Sequence, residues 1–305
     1  MKTNSASGLK LMELKRCPAC GQTARQKVFA IQSSEVFQCS CCGLRYLDPC
    51  LSPDAMANAY ESDETLTELH DFHEGYYDYG SLETGSKTRA DFEKGLELAG
   101  KGIDATAEKK ILDVGFGNGF FLALARQRGW AVEGIDTSSK NVEMAKKKFS
   151  LDLRRGDFER EIPDRPAYDA VAFWDVIEHI PDPKPVLQKV KRVLKPGGRA
   201  LIAVPNDRNL LMIISSLLYK ISAGAFRLGV NKLYFLEHVS YYSPKTLNAL
   251  FENNGFRMLD SFLTNTDLAK YKLPLWEKLT AGTLLQIGHW LRLNNRFVAA
   301  FQVKS

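Results

Sequence analysis

After Cys50 this 305-residue chain contains no further cysteine. It also lacks a long apolar run: the longest, "LLMIISSLLY" at 210–219, is about half of the ~20 residues a spanning helix needs, which excludes a transmembrane reading. The opening "MKTNSASGLKLMELKR" lacks the apolar core of a signal peptide, so a cytoplasmic location is expected. Disulfide frameworks belong to secreted chains. With no secretion signal, six cysteines confined to 17–50 point to metal instead. A strong charge of either sign is missing too. The net charge is +5, with +4 in residues 1–50 and +3 in 260–305, leaving −2 between them.

What is present begins with "CPACG" at 17–21 and "CSCCG" at 39–43, two copies of Cys-x-x-Cys-Gly with eighteen residues between Cys20 and Cys39. That spacing is a zinc spacing. Cys17, Cys20, Cys39 and Cys42 are the expected ligands of a closed, structural tetrahedral site, each pair on a glycine-permitted turn. Cys41 would break the spacing of the first pair, and Cys50 is spare. Four thiolates and one zinc carry −2, so the charge of this segment falls to about +2. Without aromatic residues interleaved among its cations, it makes a poor nucleic-acid grip, and nucleic acid is not an expected partner. A module this short has little core of its own, and metal is expected to supply its folding energy. Residues 1–14 read as a flexible start, 15–50 as the metal module and 51–80 as a connector. The connector carries Tyr60, Phe72, Tyr76, Tyr77 and Tyr79, too many aromatics for an idle linker. A helix is expected over 82–99, stopped by Gly100.

From residue 110 short apolar strands alternate with helices, the pattern of a doubly wound parallel sheet. The strands are 110–114, "AVEGID" ending at Asp136, 151–155 ending at "GDF", "DAVAFW" at 169–174 and "RALIAVPN" after "KPGG". A helix over 244–254, a strand over 256–264, an apolar-faced segment over 272–291 and a closing strand "RFVAAFQV" follow. Between the first strand and its helix lies "GFGNG", Gly115-Phe116-Gly117-Asn118-Gly119. Such a turn lets a ligand approach a helix N-terminus without Cβ contact. A dinucleotide fingerprint would place its third glycine where Phe120 stands, so the turn suits a nucleoside ligand better than NAD. Ligands of open α/β sheets bind at the carboxyl ends of the strands. There Asp136, followed by the Thr137–Ser138 cap, suits a ribose diol, and Asp157 can accept from the exocyclic amine of adenine. Trp174 and Asp175 end the fourth strand. Each acid alone reads as an ordinary turn residue; in this order they form a constellation.

"LDVGFGNG", "GID", "GDF", "YDAVAFWDVIEHIPDP" and "LKPGGRALIAVPN" resemble the successive motifs of class I S-adenosylmethionine-dependent methyltransferases, over residues 80–305. The Cys-x-x-Cys pairs followed by "GLRYLDP" resemble the zinc-ribbon extension of a bacterial subgroup active on sugars, surface polysaccharides or secondary metabolites. The resemblance implies a seven-stranded Rossmann-like sheet of order 3-2-1-4-5-7-6, with strand seven antiparallel, behind a small zinc ribbon. It implies S-adenosylmethionine as cofactor, with its methionine part at 115–119, its ribose at Asp136 and its adenine at Asp157 and Phe158. Asp113 would shape the turn or meet the ligand's amino group. The sulfonium favours aromatic faces, for which Trp174 and the tyrosines of 76–79, Tyr79 among them, are candidates.

Two histidine stretches, "WDVIEHIPDP" and "YFLEHVSYYSP", mark the acceptor side. His179 is the favoured base and His238 the second, with Glu178 and Asp175 beside them. The bland alternative makes His179 a helix buttress. A minority reading has Asp175, Glu178, His179 and His238 hold a divalent cation. Residues 207–240 form an insertion in the 81–305 domain and are expected to act as an acceptor lid, with weak peripheral membrane contact as an alternative. The expected reaction is methyl transfer to an oxygen or activated carbon of a small-molecule, sugar-linked or lipid-linked acceptor. An RNA methyltransferase and a non-catalytic nucleoside-binding regulator are the competing readings. The first would need a basic stripe the sequence does not offer, and complete strand-end acids weigh against the second.

Overall fold

The computed structural model describes residues 10–31, 34–61, 87–103, 108–268 and 274–304. Two Cys-x-x-Cys-Gly turns open the fold. In each, a glycine at positive φ (Gly21, +75°; Gly43, +80°) returns its N–H to the carbonyl of the first cysteine, at 2.8 and 3.0 Å. Around them run β1 (Leu11–Met12), β2 (Arg25–Ile31), β3 (Ser34–Cys39), β4 (Arg45–Asp48) and β5 (Cys50–Leu51), then α1 (Pro53–Glu61). Helix α1 occupies the front of the expected connector; Phe72, Tyr76, Tyr77 and Tyr79 lie outside the described residues.

The main sheet is built from α2 (Lys87–Gly100), β6 (Lys109–Val114), α3 (Phe120–Gln127), β7 (Trp130–Asp136), α4 (Ser139–Phe149), β8 (Arg154–Arg155), α5 (Phe158–Glu161) and β9 (Tyr168–Trp174). A 3-10 turn (Ile177–His179), α6 (Pro183–Val193) and β10 (Leu194–Pro205) come next. After these come α7 (Leu210–Ile221), α8 (Leu228–Leu233), β11 (Ser240–Tyr241), α9 (Pro244–Asn253), β12 (Phe256–Thr264), α10 (Leu275–Trp290) and β13 (Arg296–Val303). The seven strands pair in the order β12-β13-β10-β9-β6-β7-β8. That is the expected 3-2-1-4-5-7-6 read backwards, with β13 antiparallel to both neighbours. Helix α6 ends at Val193, just ahead of "KPGG", which lies within β10 where the pairing with β9 shifts register between Leu194 and Arg199.

Period-two alternation splits the central strands between two cores. Val171, Phe173, Ile202 and Val204 face one cluster; Ala170, Ala172, Leu201 and Ala203 face the other, under α2 and α3. Both faces are covered, so these strands read as nearly unbroken apolar runs. The first core continues into the metal module. Phe29 meets Tyr219 edge-on at 5.0 Å and Tyr234 at 5.2 Å. Strand β11 pairs antiparallel with β4, Ser240 opposite Tyr46 and Tyr241 opposite Arg45, so a strand of the insertion completes the module's sheet. Arg45 reaches Tyr234 Oη at 2.9 Å, and Tyr234 donates to Asp207 at 3.0 Å. The module is thus braced against the insertion by a shared sheet, shared aromatics and the half-buried Arg45.

Candidate functional site

The glycine turn opens onto a cleft of about 780 Å³ at the carboxyl ends of β6–β9. Gly115, Gly117 and Gly119 all have positive φ. A Cβ on Gly115 would lie 2.7 Å from Val176, and one on Gly119 would lie 2.8 Å from Ala145. A Cβ on Gly117 would meet nothing within 4 Å, at a φ of +56° that disfavours any side chain. Gly117 therefore presents bare backbone to the cleft, as close ligand approach requires.

Asp136, buried at the end of β7, fixes that backbone. Its carboxylate accepts from Gly117 N at 3.0 Å, Ser138 N at 2.9 Å and Asn141 Nδ2 at 3.1 Å. A carboxylate has about four acceptor positions, so capacity for a ligand hydroxyl remains. Burial raises the Asp136 pKa, and the donors from Ser138, Gly117 and Asn141 work against that rise. Asp113, buried at the end of β6, is pushed well up by burial and then by the nearby Asp136 charge. Its Oδ1 has no hydrogen-bond partner among the described residues. Asp157 caps α5 by accepting from Arg160 N at 3.1 Å, and Phe158 is buried behind it. Thr137 lines the cleft at its exposed edge. Trp174 lines it from the other side, its ring edge-on to Phe92 at 4.7 Å and tilted on Phe121 at 5.2 Å. An open glycine cradle, an orphaned buried carboxyl oxygen and a ribose-end acid with spare capacity fit an adenosyl amino acid.

The opposite wall joins three stretches distant in sequence. The 3-10 turn after β9 carries Glu178 and His179, the insertion brings Glu237 and His238, and α1 brings Tyr60. His179 and His238 lie edge to face, 4.8 Å between ring centroids. One ligand atom each of Glu178, His179 and His238 lies within 4.8 Å of the others. His179 Nδ1 is 2.9 Å from the carbonyl oxygen of Glu237. A carbonyl only accepts, so Nδ1 carries the proton and Nε2 is left as the basic nitrogen. Burial lowers the His179 pKa, which keeps the ring neutral near pH 7. The Tyr60 hydroxyl stands 3.5 Å from Nε2. Glu178 is buried with no hydrogen-bond partner on either oxygen among the described residues, and burial followed by the Asp175 charge drives its pKa well up. Burial pushes Glu237 to about 8. Asp175, at a φ of +57°, is held by Arg296 through two bonds of 2.7 and 2.9 Å. Asp175 is therefore part of an ion pair, which weakens its reading as a base.

Sequence reasoning gave no role to Asn141, Arg296 or Tyr60. Asn141 stands five residues past Asp136, on the first turn of α4, outside any motif. Arg296 reaches Asp175 only because β13 runs antiparallel beside β10. Tyr60 was legible as an aromatic of the connector but not as a neighbour of His179. Helix α1 also bridges the cleft's donor end: Glu61 accepts from Ser139 N at 2.9 Å and Ser139 Oγ at 2.8 Å. It caps α4 from a distance, where Ser138 makes no side-chain cap.

In the metal module, Sγ of Cys17 and Cys42 are 3.6 Å apart, and those of Cys20 and Cys39 are 3.5 Å apart. All four lie within 4.8 Å of one another. A zinc with bonds of ~2.3 Å holds thiolates about 3.8 Å apart, so the cluster suits it. Cys41 is exposed and Cys50 is buried in the apolar core, both outside the cluster.

Residues 87–261 match a family model described as a methyltransferase domain. The chain is 26% identical over 157 residues to a ubiquinone biosynthesis O-methyltransferase of Coxiella burnetii, covering 50% of this chain and 65% of the relative. It is 34% identical over 110 residues to the protein of that name from Nitrosomonas europaea, covering 34% and 47%. The chain thus spans less than two thirds of the length of these relatives. A solved structure assigned to the S-adenosylmethionine-dependent methyltransferases, from Listeria monocytogenes, superposes with a TM-score of 0.50 at 16% identity, covering 72% of this chain and 100% of that one. It supports the fold.

Proposed function

The chain belongs to the S-adenosylmethionine-dependent methyltransferases, and from that premise we propose that it moves the donor's methyl group to an oxygen or activated carbon of a small-molecule, sugar-linked or lipid-linked acceptor. The O-methyltransferase names of the relatives support an acceptor of this size. The bound donor would supply an electrophilic methyl on a sulfonium. Gly115–Gly119 would hold its amino-acid part, with Asp113 facing the amino group; Asp136 would hold the ribose, and Asp157 with Phe158 the adenine. The cation itself is favoured by aromatic faces such as Trp174. The four-cysteine cluster would hold a structural zinc.

The observation that carries the reading is the His179–Glu237 hydrogen bond, which fixes the tautomer and leaves Nε2 as acceptor in the cleft wall. Nε2 would take the proton that the acceptor loses as its oxygen or carbon gains the methyl. Glu178, whose buried carboxyl is pushed toward its neutral form, would line the wall beside the ring. His238 would pack against the face of His179 and restrict its rotation. Most of the remaining rate would come from alignment of the two substrates.

The test incubates purified protein and methyl-labelled donor with a small-molecule extract and, separately, with RNA. The expected result is one labelled small molecule, formed about two to four orders of magnitude more slowly by His179→Ala at equal donor affinity. Labelled RNA, or full turnover in the variant, would overturn the reading.

A further inference from the structure

Helices α7 and α10 pack against each other, with Gly288 against Leu210 and Leu210 N bonded to Leu293 O at 3.2 Å. Each leaves its other face bare. On α7, Ile213, Leu217 and Ile221 are exposed, Ile221 at 75%. On α10, Trp276, Leu279 and Trp290 are exposed, the tryptophans at 65% and 74%. Spacings of four on α7, and of three and eleven on α10, place each set on one side of its helix. Phe226, between α7 and α8, and Leu228, the first residue of α8, are exposed and extend the apolar surface. A surface with this much uncovered apolar side chain marks an interface.

The charges around it indicate the partner. Segments 210–233 and 274–292 contain five cations (Lys220, Arg227, Lys232, Lys278 and Arg292) and a single acid, Glu277. That acid is already bonded to Lys232, at 3.1 Å. The two segments together carry a net charge of +4.

We propose that this face docks on an anionic phospholipid surface. A second copy of the chain, seated through the same patch, would bring like cations together, because a two-fold contact is self-complementary in position. Lipid phosphates oppose them with the complementary sign. The tryptophans stand fourteen residues apart on α10, about 21 Å along its axis. Aromatic rings at both ends of an apolar stripe suit a helix lying in the plane of the headgroups. Among the described residues no helix is long and apolar enough to cross a membrane, so the contact is peripheral. The face adjoins the cleft: Asn265, in the cleft wall, donates to Leu285 O of α10 at 3.0 Å. Docking would therefore bring this edge of the cleft next to the lipid.

The full-length protein is sedimented with vesicles of phosphatidylcholine alone and of phosphatidylcholine with phosphatidylglycerol, and its tryptophan emission is followed. The expected result is pelleting with the anionic vesicles, weakened by salt, with a blue-shifted emission. Trp276→Ala with Trp290→Ala should lower vesicle affinity about tenfold. Lys220→Glu and Arg227→Glu should each lower it about fivefold. Donor affinity, measured by calorimetry, should be unchanged in all of them, which separates lost docking from lost folding. Protein that stays in the supernatant with both vesicles would overturn the proposal, as would variants that pellet like the parent. So would a stable dimer that the tryptophan changes split into monomers, which would assign the face to a second copy.

Discussion

The two walls of the cleft are built by different physics. On the donor wall the groups come from consecutive strand ends of one sheet, and the central carboxylate, Asp136, is engaged by two backbone N–H groups and a side-chain amide. The opposite wall is assembled from chain segments 58 and 119 residues apart. It keeps ionisable groups buried and shifted: Glu178 and Glu237 upward, His179 downward. The contrast is one of degree, since Asp113 on the donor wall is also buried and shifted upward with one unpartnered oxygen, while Asp136 beside it has three donors.

The comparison breaks most clearly at His179. His179→Ala is expected to reduce turnover about two to four orders of magnitude and leave donor affinity alone. In the parent enzyme the acid limb of the rate profile should fall below pH 6.5, the ordinary imidazole value, because burial lowers this pKa and the ring acts when neutral. An acid limb above that value would contradict the assignment.

On the donor wall, Asp136→Ala should weaken donor binding by about 10- to 100-fold, since it removes charge-assisted acceptors and releases the Gly117 turn. Calorimetry with the donor or its demethylated product reads this. Gly117→Val should act in the same direction through strain and a blocked cradle. Normal binding in either variant would mean that the donor sits elsewhere.

The metal module tests whether the acceptor wall depends on support from outside the sheet. One zinc per chain is expected by elemental analysis. Cys39→Ser should lose it, and the shared sheet should then open at both its parts. Limited proteolysis is expected to cut near 15–50 and near 234–241, with donor affinity retained.

A smaller effect should come from Glu237. Its folded-state pKa of about 8 lies above the ordinary 4.5. The stability this group contributes is whole below about 4.5 and is lost as pH rises through about 8. Glu237→Gln, which cannot ionise, should match the parent in mild acid and exceed it above pH 8 by on the order of 1–3 kcal/mol in thermal or denaturant unfolding. The smallest effect belongs to Cys50→Ser, which should leave metal content unchanged because Cys50 lies in the apolar core and outside the cluster.

The sequence by itself determined the parts whose physics is local. Strand and helix periods gave the element order, while the sheet order and the antiparallel last strand, which the family resemblance implied, match the structure. Three glycines at alternate positions required a turn at positive φ, which is where they stand. Repeated Cys-x-x-Cys-Gly spacing selected Cys42 over Cys41, because each turn fixes its two thiolates within five residues of chain. Only the tertiary structure decided the rest. The tautomer of His179 depends on a carbonyl 58 residues away, its hydroxyl neighbour Tyr60 is 119 residues away, and Arg45 finds Tyr234 across 189 residues. No residue pattern encodes such pairings. They exist because burying the apolar faces of the ribbon, the insertion and the sheet in one core brings those polar groups together.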